Sequence, residues 1–306
     1  MFRMILLFIL FFSQANAKEL RIIVPSNSDG YNLNARVLAR HYDRYLRDNP
    51  TIIIQAMPGA AGMVAASYIY GVAPSDGSVI GTVQKNVMIE SIRSNKIDPS
   101  RFTWIGSTAD GRKDAVFIWS NKNKPIDHYT SEELILSADS DDVDLIRNSL
   151  KIRIRSITGY SSGGEIRLAV ERGEVDAAIF SLIGIKTNRP QWLSADSKIR
   201  PMIQYGNGKI RHADFQNVPT LTELVRDKRL LATIEAYEKQ YTLLRPFIAP
   251  PNVPISVAQE LRDAFYRTVN DREYLEDMRR SNIDVNPVYW QEAEQIVRDT
   301  MRFYEK

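Results

Sequence analysis

Between Leu20 and Val83 the hydrophobic pattern alternates between short apolar runs and stretches of helical period, and this alternation restricts the chain to layered α/β folds. Leu20–Val24 predicts a short strand. It leads into Pro25–Gly30, a segment dense in turn formers, and then into a helix predicted from about Leu33 to Arg47. On that helix Leu33, Val37, Leu38, Tyr45 and Leu46 form one stripe, while Arg36, Arg40, Asp43, Arg44 and Arg47 fall elsewhere. Thr51–Ile54 predicts the next strand, Met57–Gly62 breaks the chain, Met63–Tyr70 resumes as helix, and Val79–Val83 is a third strand. Such an order predicts two right-handed βαβ units on a parallel sheet.

The first seventeen residues stand outside this pattern. Arg3, an apolar run from Met4 to Phe12 and the small-residue site Ala15-Asn16-Ala17 predict a secretory signal cleaved after Ala17. The apolar run is too short for a spanning helix, which needs about 20 residues. Export to a bacterial periplasm also fits the complete lack of cysteine, since a free thiol is a liability where disulfides form. Zero Cys further excludes disulfide scaffolds, thiolate metal sites and thiol catalysis. With 40 Lys+Arg against 37 Asp+Glu, the net charge of +3 provides no basic stripe for nucleic acid.

A composition swing marks a boundary further on. The polar run Thr108–Asp114 precedes the apolar strand Ala115–Trp119, as expected where a chain crosses between lobes. A second lobe is then predicted to hold strands at Leu134–Leu136, Ile152–Ile157, Val175–Phe180 and Ile199–Tyr205. Helices are predicted at Glu165–Arg172, Leu221–Val225 and Leu230–Glu238. After the strand Phe247–Ala249 come two or three helices with stripes Val257, Leu261, Ala264, Phe265; Tyr274, Leu275, Met278; and Trp290, Ala293, Ile296, Val297. Assigning this tail to the first lobe gives that lobe an adequate core. The expected division is residues 18–114 with 245–306, and residues 115–244.

Three loops share one property: each follows a strand, is rich in Gly, Ser or Asn, and opens a helix. They are Ser26–Asn32, Pro58–Gly62 and Tyr160–Gly164. In α/β sheets such loops sit at the carboxyl ends of strands, where ligands bind. Unpaired first-turn amides and the positive end of the helix dipole suit each to an anion. None of the three contains Arg or Lys, so a carboxylate would be held by amides and hydroxyls. The candidate ligand residues are Ser26, Asn27, Ser28, Asp29, Gly30, Tyr31 and Asn32, then Gly59, Ala60, Ala61 and Gly62, then Tyr160, Ser161, Ser162, Gly163 and Gly164. In this scheme Ser26, Asn27, Ser28 and Asn32 donate at the first helix entrance, Gly59 to Gly62 offer backbone amides, and Tyr160, Ser161 and Ser162 close from the other lobe.

Gly159–Gly163 also matches G-x-S-x-G, the nucleophile elbow of serine esterases, with Ser161 as nucleophile and Asp176 or Asp196 with His212 as partners. No HGGG-type oxyanion segment precedes it, and His41 and His212 read as surface groups, so an esterase is the weaker alternative. No metalloprotease, calcium-loop, P-loop or dinucleotide motif occurs, and no metal or cofactor is expected. The acidic run Asp139, Asp141, Asp142, Asp144 reads as a solvated helix start.

A family resemblance rests on an ordered set of residues. Val24-Pro25 with Gly30-Tyr31 and Ala35-Arg36, Gln55–Gly62 with Ala65-Ala66, Ala73–Gly77, Trp104–Gly106, Thr158–Tyr160 with Glu171–Asp176, Asn217–Leu221 and Ala249–Pro254 occur in sequence. The set resembles the extracytoplasmic solute-binding proteins of tripartite tricarboxylate transporters, the Bug family, over nearly all of residues 18–306. The resemblance implies a two-lobe periplasmic binding protein, type II-like, with a mainly parallel sheet flanked by helices in each lobe and the ligand cleft between them. It also implies capture of a small organic acid, delivery to integral membrane permease subunits, monomeric action and no catalysis. Docking on a membrane receptor kinase as a ligand sensor is the alternative use of the same design. Two positions depart from the family pattern: Asn32 stands where many relatives carry Asp, and Ala177 where they carry Gly. The span from Leu136 to Ile152 reads as short, so the second lobe is expected to lack a helix there.

Overall fold

Leu20, Ile22 and Val24 enter one apolar cluster and Ile23 the opposite one, so the first strand is buried on both faces with the period of two that β structure imposes. The computed structural model describes residues 18–304, except 28–29, 85–86, 112–114, 139, 161, 207–210, 282 and 284. The expected signal segment therefore lies outside the described residues. In chain order the first part is β1 (Glu19–Val24), α1 (Gly30–Tyr42), β2 (Thr51–Ala56), α2 (Met63–Gly71), β3 (Val79–Thr82), α3 (Val87–Ser94) and β4 (Thr103–Ser107). The middle part is β5 (Val116–Ser120), β6 (Glu133–Ser137), α4 (Ser140–Leu150), β7 (Arg153–Ser156), α5 (Gly163–Arg172), β8 (Ala177–Ser181), α6 (Leu182–Asn188), β9 (Arg200–Tyr205), α7 (Leu221–Leu224) and α8 (Lys228–Lys239). The last part is β10 (Pro246–Ala249), α9 (Ile255–Val269), α10 (Arg272–Arg280), β11 (Val288–Tyr289) and α11 (Trp290–Tyr304).

Two sheets result, ordered β11-β4-β10-β3-β1-β2 and β7-β6-β8-β5-β9. The terminal strands β10 and β11 join the first sheet. β1 pairs parallel with β2 and β3, Ile22 lying opposite Ile54 and Ile80, as the two βαβ units require. β10 runs antiparallel between β3 and β4, which leaves β1, β2, β3 and β4 pointing one way. In the second sheet β6, β7, β8 and β9 share a direction and β5 opposes them. Four of the six strands of the first sheet and four of the five of the second thus share a direction, but the reversed strands β10, β11 and β5 make the pairing in each sheet mixed. β5 shows the same two-sided burial as β1: Val116 and Ile118 enter one cluster, Phe117 and Trp119 the other.

Five sequence expectations need correction. The span 137–151 does hold a helix, α4, whose Val143, Ile146 and Leu150 pack on the second core. Its acidic start is not all solvated, because Asp142 is 2% exposed and accepts hydrogen bonds from Tyr237 Oη at 2.8 Å and Tyr241 Oη at 2.7 Å. The helix predicted over 33–47 starts earlier and stops at Tyr42; Asp43–Tyr45 continue as a 3-10 turn, and Asp48 and Asn49 then take positive φ. Leu33 and Leu275 point outward, and the burial stripe of α1 instead includes Asn34 and His41. His41, expected at the surface, is buried with Nε2 2.9 Å from Asp277 Oδ2. Ala177 is buried in β8 opposite Ser120 and Leu136. Among the described residues no helix is long and apolar enough to cross a membrane.

Candidate functional site

The reversed strands decide where the two sheets meet. Because β5 is antiparallel to β8, its first residue Val116 lies opposite Ser181, at the carboxyl end of β8. The segment from Ser107 to Ala115 therefore joins the carboxyl end of β4 to the carboxyl edge of the second sheet. Likewise Pro246, the first residue of β10, lies opposite Ser107, so the returning chain reaches the first sheet at its carboxyl edge. The two connecting segments run side by side: Thr108 N donates to Arg245 O at 3.2 Å and Leu244 N to Ala109 O at 3.2 Å. Gly111 permits this contact, since a Cβ there would stand 1.9 Å from the Tyr241 carbonyl oxygen. Both carboxyl edges, the usual ligand-binding edges of α/β sheets, thus converge on the connecting segments.

Two of the three sequence-predicted loops leave the first sheet side by side. Val24 and Ala56 are paired at the ends of β1 and β2, and Met57 N donates to Val24 O at 2.9 Å. Ser26 and Asn27 follow β1, and Gly30, Tyr31 and Asn32 form the first turn of α1; Ser28 and Asp29 lie outside the described residues. Asn32 is buried, its Nδ2 donating to Ser26 O at 3.0 Å and its Oδ1 accepting from Arg36 Nε at 2.6 Å. Its amide thus shapes the loop from beneath. In the second loop Gly59, Ala60 and Gly62 have φ of 133°, 45° and 87°, and Gly62 N donates to Gly59 O at 3.0 Å. A Cβ at Gly59 would meet Val64 Cγ2 at 2.9 Å, so the tight turn requires glycine there. Ala61 lies in the short 3-10 turn Ala60–Gly62, and Gly62 then caps α2 without a side-chain hydrogen bond.

The third loop follows β7 on the other sheet. Thr158, Gly159 and Tyr160 line a cavity of about 290 Å³ together with Ser137 and Ala138 from the end of β6. That volume suits a small molecule. Ser162 caps α5, its Oγ accepting from Glu165 N at 3.3 Å, while Gly163 and Gly164 open the helix; Ser161 lies outside the described residues. The described contacts join the first two loops to one edge and keep the Tyr160 loop on the other.

Sequence reasoning missed two cations at these loops. Arg245 Nη2 lies 3.7 Å, and Nε 3.9 Å, from the point where Gly30 would carry a Cβ. On the second sheet Arg167 Nη1 is 3.5 Å from the corresponding point at Gly163, and its guanidinium stacks 5.2 Å from the centre of the Phe180 ring. Burial, and then the neighbouring Arg189 charge, lower the Arg167 pKa, although a guanidinium stays protonated at any working pH. For Arg167 a signal existed: it stands four residues after Gly163, one helical turn away. For Arg245 none did, because its position depends on the antiparallel insertion of β10.

Ser161 lies outside the described residues, and the expected esterase partners have other hydrogen-bond partners. Asp176 Oδ2 accepts from Ile135 N at 3.0 Å and Oδ1 pairs with Lys122 Nζ at 3.2 Å, Asp196 bonds to Ser194, and His212 Nδ1 accepts from Asp214 N at 3.1 Å. Among the described residues His41, Asp271 and Glu273 lie within metal-ligand reach of one another. Their carboxylates are already engaged, Asp271 by the Tyr45 hydroxyl and the α10 amides, Glu273 by Arg44.

No family model matches the sequence, and no curated protein sequence matches it. Among solved structures, a TctC solute-binding protein from Polaromonas superposes with a TM-score of 0.65 at 14% identity, covering 95% of this chain and 98% of its own. MatC from Rhodopseudomonas palustris, solved with bound malate, gives 0.69 at 15% identity, with 94% and 97% covered. A second R. palustris protein, solved with adipate, gives 0.69 at 17% identity, with 95% and 96% covered. Over its described length the chain therefore has the two-lobe α/β fold of the periplasmic solute-binding proteins, TctC among them.

Proposed function

We propose that the protein is an exported solute-binding protein that takes a small organic acid into a cleft between its two lobes and hands it to the membrane permease of a tripartite tricarboxylate-type transporter. The observation that carries this reading is that two strand-to-helix loops open from the carboxyl edge of the first sheet and one from that of the second, the two edges to which the paired connecting segments lead. The two fold neighbours solved with malate and with adipate support a carboxylate as the ligand class. The lobes are residues 18–114 with 245–306, and residues 115–244. Ser26, Asn27, Gly30 and Tyr31 would meet the ligand at the α1 entrance, the amides of Gly59 to Gly62 at the α2 entrance, and Tyr160, Ser162, Gly163 and Gly164 from the second lobe. The protein acts by binding, without cofactor or covalent chemistry. Closure is stabilised only by what the ligand gains from contacting both lobes at once.

A thermal-shift screen of the purified protein against mono-, di- and tricarboxylates, amino acids and neutral amides tests the reading. A carboxylate present at 100 times its Kd should stabilise the folded state by about 2.7 kcal/mol and raise the melting midpoint, whereas the matching amide should not. Failure of every carboxylate to raise the midpoint, or equal shifts with the amides, would defeat it.

A further inference from the structure

We propose that Arg245 is the charge-selecting residue of this site, its guanidinium taking a ligand carboxylate at the entrance of α1. The inference rests on the carboxylate-binding reading above and adds the side chain that sets its selectivity. The antiparallel course of β10 brings Arg245 to the carboxyl edge of the first sheet, and the guanidinium reaches to within 3.7 Å of the Cβ point of Gly30, at the first turn of α1. Its backbone is held, N–H to Ser107 Oγ at 3.2 Å and C=O accepting from Thr108 N at 3.2 Å. Its guanidinium is not: Nη1 is buried and has no hydrogen-bond partner among the described residues.

Two further buried donors have no partner among the described residues, one on α1 and one on α10. Asn34, one turn beyond Gly30 on α1, is 1% exposed; its Oδ1 accepts from Thr108 Oγ1 at 3.0 Å while Nδ2 is unsatisfied. Tyr274, fully buried, also has an unsatisfied hydroxyl, and the Arg245 charge acts on its titration. Native structures rarely leave buried donors without acceptors. Guanidinium and amide N–H groups can only donate, and a phenol can donate, so this set, beside the positive end of the α1 dipole, suits an anion and is poor for a cationic group. A carboxylate suits the guanidinium fork in particular.

The test is isothermal titration with malate and adipate, and with their diamides, of the parent protein, Arg245→Gln, Arg245→Lys and the distant control Arg172→Gln. The expected result is that a carboxylate bound by the parent binds Arg245→Gln about 10- to 100-fold more weakly. Arg245→Lys should be intermediate, and Arg172→Gln should match the parent. Circular dichroism and the ligand-free melting midpoint show whether each variant is folded. If the parent binds malate or adipate and Arg245→Gln binds it within about twofold, the inference is overturned while the carboxylate reading stands. If Arg245→Gln does not fold, Arg245→Lys decides in the same way, parental affinity being the overturning result. If the parent binds neither probe, the assignment of Arg245 to these carboxylates falls, and the wider thermal-shift screen separately judges the reading on which it rests.

Discussion

Replacing Asp142 with alanine should lower folding stability by about 3 kcal/mol, and most of that loss should disappear when Tyr237 and Tyr241 are phenylalanine. The estimate follows from the hydrogen bonds at this position. Asp142 is 2% exposed, and a single oxygen, Oδ1, accepts from both phenols, at 2.8 and 2.7 Å. A hydrogen bond to a charged group contributes about 1.5–3 kcal/mol, and two that share an oxygen contribute less than twice that. Burial, and then the Asp142 charge, push the Tyr241 phenol well above its ordinary pKa, so it remains a donor throughout the working pH range. Urea unfolding of the parent, Asp142→Ala, Tyr237→Phe/Tyr241→Phe and the triple variant closes a double-mutant cycle. A coupling of about 2 kcal/mol is expected, with unchanged denaturant slopes. Additivity within about 0.5 kcal/mol would show that the phenols are not what makes Asp142 costly to lose, and would refute the reasoning.

Asp271→Ala should cost about 1 kcal/mol by uncapping α10, where Oδ1 accepts from Glu273 N at 2.7 Å and Tyr274 N at 3.1 Å. The Tyr45 hydroxyl, followed by these amides, holds the Asp271 carboxyl below its usual range. Its contribution is therefore full above the unfolded value of about 3.9 and lost as the pH falls through the lower folded value, so acid unfolding curves of variant and parent should converge. A gap that persists in strong acid would contradict this. Gly111→Ala should cost about 3 kcal/mol or more in urea unfolding, because the added carbon would stand 1.9 Å from a backbone oxygen; a near-neutral result would mean that the connecting segments are not in contact. Asn32→Ala should cost about 1–2 kcal/mol and speed amide hydrogen exchange across residues 26–32, since it frees Ser26 O and Arg36 together. Unchanged exchange would remove Asn32 from the shaping of that loop.

Hydrophobic periodicity carries most of this fold. β1 and β5 are apolar on both faces, as in sheets covered on both sides by helices, and the turn-rich segments between strand and helix marked the loops that end up on the carboxyl edges. The failures share a physical cause. The span that holds α4 reads as too short for a helix and its acidic start as solvated, yet Asp142 is buried by tyrosines about a hundred positions later in the chain. His41 looked solvated and is matched by Asp277 on α10. Leu33 falls outside the buried stripe of α1 because that stripe takes in Asn34 and His41, each with a polar partner inside, and on α10 the burial is confined to Tyr274 and Met278. A buried polar group is predictable only together with its partner, and these partners are distant in sequence. Arg245 belongs to the same class, since β10 must be placed between β3 and β4 before its guanidinium can be placed at all.

The paired connecting segments constrain how the molecule can move. Two backbone stretches tied laterally at Thr108–Arg245 and Leu244–Ala109, with Tyr241 pressed against Gly111, behave as a ribbon rather than as two independent tethers. A ribbon folds readily about a line across its width, but sliding one stretch past the other breaks its cross-links. Bending about that line is therefore the relative motion of the two sheets that these cross-links oppose least, and the distance between the carboxyl edges is the coordinate that would report it. A single pair of spectroscopic labels, one on each edge, would follow the whole excursion, and any occupant of the gap would register as a change in that one distance.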